Sequence, residues 1–233
     1  MQEREAYTGV ENLEVMQEAK NYNRYLLNLV RAHAPPGGRM IDFGAGGGTF
    51  ALPMAAAGFD VTAVEPDNLL RGRLQDRKLK VAADVSNLAD QSFAYVYTLN
   101  VLEHIEDDVG ALRQLQAKLI LGGRMLIYVP ALPILYTSMD AKVGHVRRYT
   151  RATLLTSVRA AGFDVERVKY VDSIGFVATL LFKMTNNQDG NVNRTALKAY
   201  DRFVFPISRA VDLLARRWFG KNLLLIARKN PDA

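Results

Sequence analysis

The chain has 233 residues, 49% of them hydrophobic and 23% charged, with a formal net charge of +6, as expected of one soluble domain long enough to bury a core. It contains no cysteine, which excludes disulfides, thiolate metal sites and cysteine nucleophiles and fits a reducing compartment; no metal site is expected. The N-terminus is polar and acidic, and the apolar stretch Ile174 to Phe182 is far shorter than the ~20 residues that cross a bilayer, so a cytoplasmic location is expected.

Residues from about Glu11 to Ala34 lack helix breakers and predict a helix, stopped by Pro35-Pro36-Gly37-Gly38. Strand-like and helical runs then alternate. Arg39–Phe43 reads as a strand ending at a glycine-rich turn, and Thr49–Ala57 as a helix with Pro53 in its first turn. Asp60–Val64, Leu79–Ala83 and Tyr95–Leu99 are further strands. Asp107–Leu121 reads as a helix, with Leu112, Leu115 and Leu119 at helical spacing and Gly122-Gly123 as its stop. Arg124–Val129 follows as a strand, Thr150 caps a helix over Arg151–Ala161, and Val165–Tyr170 and Leu223–Arg228 are the last strands. Alternation of this kind predicts a parallel α/β sheet covered on both faces. Thr185–Asn193 reads as a surface loop.

Asp42-x-Gly44-x-Gly46-x-Gly48 falls where the first strand hands over to its helix, the edge of an open α/β sheet at which ligands bind. A dinucleotide loop needs G-x-G-x-x-G, and the third position counted from Gly44 is Thr49, so that pattern fails; so does the P-loop. Glu65 ends the second strand about twenty residues on, where a carboxylate can accept both hydroxyls of a ribose. Asp84 ends the third strand and can face an adenine amino group.

Met40-Ile-Asp-Phe-Gly-Ala-Gly-Gly-Gly-Thr49, Val64-Glu65-Pro66-Asp67, Asn100-Val-Leu-Glu-His-Ile-Glu-Asp107 and the run Gly122 to Pro130 together resemble the motifs of class I S-adenosylmethionine-dependent methyltransferases, from about Asn21 to Lys229. The resemblance implies a Rossmann-like seven-stranded sheet in order 3-2-1-4-5-7-6 with the last strand antiparallel. It implies S-adenosylmethionine as cofactor, with Asp42, Gly44, Ala45 and Gly46 near its methionine part. Glu65 and Pro66 would lie at the ribose, Asp84 and Val85 at the adenine, and Asn100 and Leu102 on the opposite wall. One methyltransferase domain over 1–233 follows, with residues 1–36 as a helical cover; Tyr22 of Tyr22-Asn23-Arg24-Tyr25 reads equally as closing the site over the cofactor or as core packing.

Methyl transfer from a sulfonium mainly requires positioning of the acceptor, and a hydroxyl acceptor also needs a base. Of three histidines, His33 sits at a helix end, where a contact with the negative dipole end explains it. His104 reads equally as a loop-organising hydrogen bond or a substrate-side group. His145 lies in Gly144-His145-Val-Arg147-Arg148-Tyr149, which gathers a candidate base with Arg147, Arg148 and Tyr149 as candidate acceptor contacts. The pattern resembles a bacterial subgroup associated with surface polysaccharide assembly, which implies O-methylation of a small-molecule, glycan or lipid-linked acceptor.

Residues 171–222 form an insertion before the last strand. Leu197, Tyr200, Val204, Ile207, Val211, Leu214 and Trp218 make one apolar stripe interrupted at Pro206, which predicts two helices or a kink. From Gly190 to Lys229 nine basic residues face only Asp201 and Asp212, a net +7. The stripe is open to three roles: a lid, a homodimer contact, or a peripheral membrane contact through 194–219. Interleaving of charge with the stripe argues against nucleic acid. The alternative to an enzyme is a non-catalytic cofactor-binding subunit docking a membrane assembly through these helices.

Overall fold

The computed structural model describes residues 15–184 and 193–230; residues 11–14 of the expected first helix and most of the expected 185–193 loop lie outside them. Seven strands form one sheet in order β3-β2-β1-β4-β5-β7-β6, as the resemblance implies. They are β1 (Met40–Phe43), β2 (Val61–Val64), β3 (Lys80–Ala82), β4 (Phe93–Leu99), β5 (Leu119–Pro130), β6 (Phe163–Val171) and β7 (Asn222–Lys229). The first five pair in parallel, and β7 runs antiparallel between β5 and β6.

Alternating side chains feed two cores. Ile41, Val96, Ile127 and Leu225 enter one, with Leu112, Leu115, Leu154 and Val158 from α4 (Asp108–Lys118) and α6 (Arg151–Ala160). Met40, Tyr95, Tyr97, Leu126, Tyr128, Leu224 and Ile226 enter the other. Against them pack Leu26 and Val30 of α1 (Lys20–His33), Met54 of α2 (Ala51–Ala56) and Leu74 of α3 (Asn68–Asp76). Burial on both faces is why these strands read as continuous apolar runs.

Three local readings change. The helix expected over Asp107–Leu121 ends at Lys118, and Leu119 already belongs to β5. Gly122 (φ 71°) lies instead at an irregularity where β5 steps out of register with β4 between Phe93 and Tyr95. The short α3 was not expected; Asp67 caps it, accepting from the amides of Leu69 and Leu70. Nor was α5 (Ser138–Lys142), and α7 (Ser173–Met184) lies within the 171–222 insertion, ahead of the apolar stripe.

Between β6 and β7 the chain forms α7, α8 (Arg194–Ala199), a π-helical turn (Tyr200–Val204) and α9 (Phe205–Ala215). Pro206 sits in the first turn of α9, where its missing N–H is tolerated, so the expected interruption becomes a wide turn rather than a break. The apolar stripe on α9 faces outward. Ile207, Val211, Leu214 and Trp218 are 59%, 38%, 79% and 70% exposed, whereas Phe205, Ser208, Asp212 and Ala215 are buried.

The inner face is polar by design of its contacts. The Asp212 carboxylate accepts from the amides of Asp172 and Ser173 and from the Ser173 hydroxyl at 2.9, 2.9 and 2.6 Å, so it caps α7. Asp172 accepts from the hydroxyls of Tyr200 and Ser208 at 2.6 and 2.8 Å. Asp201 reaches the start of α1, accepting from the amides of Asn21 and Tyr22 at 2.9 and 2.8 Å. Ala19, the residue before α1, provides no side-chain cap. The cap is therefore supplied from 180 residues away, and Asp201→Ala is expected to lower stability by roughly 1–2 kcal/mol, measured by urea unfolding. An unchanged midpoint would remove this link from the fold.

Candidate active site

Parallel pairing places the ends of β1, β2, β3 and β4 along one edge. After β1 the chain turns through Asp42–Gly48. Gly44 has φ +77°, and an added Cβ would clash with the Val101 side chain, so the turn packs directly beneath the β4 loop. The Gly46 amide donates to Glu65 Oε2 at 2.7 Å and the Asp67 amide to Glu65 Oε1 at 2.9 Å. Glu65 thus ties the glycine turn to the end of β2. A carboxylate has about four lone-pair positions, so two remain open to further donors. Burial raises the Glu65 carboxyl above its usual range, with these amides opposing the shift. Arg71 donates to the carbonyls of Glu65 and Pro66 at 2.9 and 3.0 Å, holding the turn that presents the exposed Pro66.

Asp42 is buried, and one of its carboxylate oxygens has no hydrogen-bond partner. Burial pushes its carboxyl up to about 7, tempered by the nearby Tyr97 hydroxyl and the Ala51 amide. An under-satisfied anion here, beside a turn whose neighbour Glu65 keeps acceptor capacity, fits a cationic nucleoside cofactor. Ala45 is buried beneath the turn and Gln17 lies beside Gly47. Asp84 is exposed at the end of β3, and its side chain accepts from the Ser86 amide at 2.8 Å, with Val85 buried below.

Asn100 leaves β4 with φ 56°, a conformation asparagine tolerates, and its amide donates to the Tyr128 carbonyl at 2.8 Å. Tyr22 packs edge-on against Tyr128 and Phe205, at 6.1 and 5.6 Å between centroids, and burial raises its phenol. Leu102 is wholly buried. Of the remaining histidine, the His33 ring contacts the Leu29 carbonyl at 2.8 Å within its own helix.

The segment after β5 folds back over the β4 loop. His145 Nδ1 donates to Asp140 Oδ1 at 2.7 Å, and its Nε2 lies 3.7 Å from Glu103 Oε1. His104 stands edge-on to His145 at 4.7 Å and contacts the Gly144 carbonyl through Nδ1 at 3.3 Å. Burial, then His145, lowers His104 to about 4. Arg148 clamps Asp140 with Nε and Nη2 at 2.8 and 2.9 Å. Burial works to raise the Asp140 carboxyl, but His145, Arg148 and the Thr137 amide outweigh it and hold it below the usual range. Glu103 is wholly buried, neither of its oxygens has a hydrogen-bond partner, and burial pushes its carboxyl up to about 8.

Two expected acceptor contacts therefore change role. Arg148 is engaged with Asp140, and Tyr149 is a core residue whose hydroxyl donates to Asp108 Oδ2 at 2.8 Å; neither presents a fork or phenol to a ligand. Arg147 is partly exposed, with contacts to the Glu106 carbonyl and Asp108 at 2.7 and 3.4 Å. Asp140 and Glu103 were not singled out from sequence. The signals were present, as an acid five residues before His145 and one next to His104, but only the fold brings the two segments together.

Burial of Asp42 ties the stability of the fold to pH. A carboxyl whose folded pKa exceeds its unfolded one destabilises the fold once pH passes the unfolded value near 4, and the cost grows until about 7. At about 1.4 kcal/mol per tenfold it is at most about 4 kcal/mol. The unfolding free energy of Asp42→Asn, relative to the parent, should shift in the variant's favour between pH 4 and pH 8. A pH-independent difference would contradict the buried, raised acid.

Residues 16–168 match a family model described as a methyltransferase domain. A relative from Xanthomonas campestris called ubiquinone biosynthesis O-methyltransferase is 33% identical over 104 residues. That match spans 40% of this chain and 44% of the relative, less than half of either. Among solved structures, a Mesorhizobium loti S-adenosylmethionine-dependent methyltransferase aligns with TM-score 0.59 at 19% identity, covering 86% of this chain and 96% of the other. A Haemonchus contortus phosphoethanolamine N-methyltransferase with S-adenosylmethionine aligns with TM-score 0.59 at 19% identity, over 91% of this chain and 52% of that one. The chain belongs to the methyltransferase domain family, and its sheet has the Rossmann-like order of the class I methyltransferase fold.

Proposed function

We propose that this methyltransferase acts on a hydroxyl of a small-molecule, glycan or lipid-linked acceptor, and that His145 and His104 handle that hydroxyl. The observation that carries this reading is the His145–Asp140–Arg148 relay, set beside Glu103 and His104 on the turn that leaves β4. Asp140 is acceptor-only, so His145 Nδ1 bears a proton, and in the neutral ring Nε2 presents the lone pair. Asp140 and Arg148 are positioning residues, because they act through the ring. The name of the Xanthomonas relative, an O-methyltransferase, is in keeping with a hydroxyl acceptor. On this reading Glu65 holds the ribose, Asp42 and the Gly44–Gly46 turn the methionine end, Asp84 and Val85 the adenine, and Arg147 remains the candidate acceptor contact.

The tests separate cofactor from chemistry. S-adenosylhomocysteine should raise the thermal midpoint of the parent and of His145→Ala equally, and Glu65→Ala should abolish the shift. In a coupled turnover assay against a hydroxyl-acceptor panel, His145→Ala should lower kcat about 10²–10⁴-fold with the cofactor KM unchanged. Parallel loss of cofactor binding in His145→Ala would make the ring structural.

The outward stripe of α9 favours peripheral contact with an anionic membrane. Asp201 and Asp212 are consumed inside the fold as caps, so the charges near the exposed Ile207, Leu214 and Trp218 are basic. Arg151, Arg167, Lys169, Arg216 and Arg217 line one cleft of about 330 Å³. Apolar residues with tryptophan beside cations suit an interface of anionic lipids, and no helix among the described residues is long and apolar enough to cross a membrane. The parent should float with vesicles containing phosphatidylglycerol, and a Leu214→Glu, Trp218→Glu pair should stay in solution. Equal flotation, or a dimer disrupted by the same pair, would replace this surface by another role. Vesicle binding with no turnover on any acceptor would favour the non-catalytic subunit instead.

A further inference from the structure

We propose that Glu103, His104 and His145 form a site for one divalent transition-metal ion. One ligand atom from each lies within 4.8 Å of the others, and His145 Nε2 stands 3.7 Å from Glu103 Oε1. A shared ion with bonds of about 2.0–2.2 Å sets ligand atoms about 3–3.5 Å apart, so the His145–Glu103 pair is already close to that spacing and the widest pair of the cluster closes by about 1–2 Å through side-chain rotation. Two imidazoles and a carboxylate with open positions suit zinc, iron(II) or manganese.

Two independent features point to a ligand here. The first is Glu103. Its side chain is wholly buried and neither oxygen has a hydrogen-bond partner, an arrangement that costs stability unless something compensates it. The nearby guanidinium of Arg148 attracts it but gives it no hydrogen bond, because Nε and Nη2 are held on Asp140 and Nη1 donates to the Ala131 carbonyl. A coordinated cation would complete the compensation. The second is the support behind His145. Its Nδ1 donates to Asp140 Oδ1 at 2.7 Å, the outer carboxylate that orients a metal-binding imidazole and makes its far nitrogen a better donor. The Thr137 amide and hydroxyl hold Asp140 in turn, at 2.8 and 3.0 Å.

This deepens, and rests on, the reading of the cluster as the place where the acceptor hydroxyl is activated. With the ion present, the rings serve as its ligands instead of accepting the proton themselves. The ion acts as a Lewis acid and lowers the pKa of the acceptor hydroxyl. The hydroxyl proton leaves to solvent water, the oxygen forms its bond to the methyl carbon, and the carbon–sulfur bond breaks, so the sulfonium departs as a neutral thioether. No oxidant or reductant is required.

The test is titration of chelator-treated full-length protein with Co²⁺, read by visible absorption and equilibrium dialysis, with circular dichroism as the check on folding. One Co²⁺ per chain is expected, displaced by Zn²⁺. Glu103→Gln and His145→Ala should each weaken binding at least tenfold, Asp140→Asn about 10–100-fold, and His33→Ala, far from the cluster, not at all. Folded parent protein that takes up no Co²⁺, or Glu103→Gln and His145→Ala variants that bind it as the parent does, would overturn the site. If Co²⁺ does not bind while His145→Ala still lowers turnover, the ring is itself the base and only this inference falls. If neither effect is seen, both readings fall.

Discussion

Parallel pairing of β1 with β2 on one side and β4 on the other forces every connection among these strands to cross back over a face of the sheet. All their carboxyl ends therefore open on the same edge. The strand order reverses beside β1, and the crevice that such a reversal offers a ligand falls at the turns after β1 and β4. The candidate site depends on that edge. Asp42, Glu65 and Asp84 arrive there as successive strand ends, and Val101 fills the space that a side chain at residue 44 would need. The glycine of the first turn is thus as much a packing requirement between two loops as a provision for a ligand. The Gly46–Glu65 hydrogen bond then fixes the spacing of the loops after β1 and β2.

A second set of constraints joins the ends of the chain. The basic segment before β7 contains two acids, and both are buried and used as helix caps: Asp201 for α1 and Asp212 for α7. Phe205 supports the same junction through edge contacts with Tyr22 and Tyr25, at 5.6 and 5.8 Å. The inserted helices are consequently anchored through polar contacts on their inner face, and α9 does not need its outward stripe to fold. This leaves Ile207, Val211, Leu214 and Trp218 available for an outside surface.

Much of the scaffold was legible because its signals are local. Apolar runs bounded by glycine and proline mark the strands, and the acids at positions 42, 65 and 84 fall at strand ends. Local signals also misled. Leu119 keeps helical spacing with Leu112 and Leu115, yet it is the first residue of β5; all three are buried, so spacing alone could not separate them. The outward turn of the α9 stripe was equally hidden, because an apolar periodicity does not say which face the fold will cover. The His145 cluster was half legible. Its arginines and tyrosine stood out, but Arg148 is captured by Asp140 within the same segment, and the capture of Tyr149 by Asp108 depends on how two distant loops meet. So does the buried, partnerless carboxylate of Glu103.

The central claim is that one crevice joins a donor side, built on Asp42, Gly46 and Glu65, to an acceptor side, built on Glu103, His104 and His145. A crystal structure with bound S-adenosylhomocysteine tests it most directly. The account predicts ribose hydroxyls on the Glu65 carboxylate and the thioether sulfur directed toward the histidine pair, with room for an acceptor oxygen between them. A cofactor whose sulfur points away from His104 and His145, or whose ribose leaves Glu65 untouched, would contradict it.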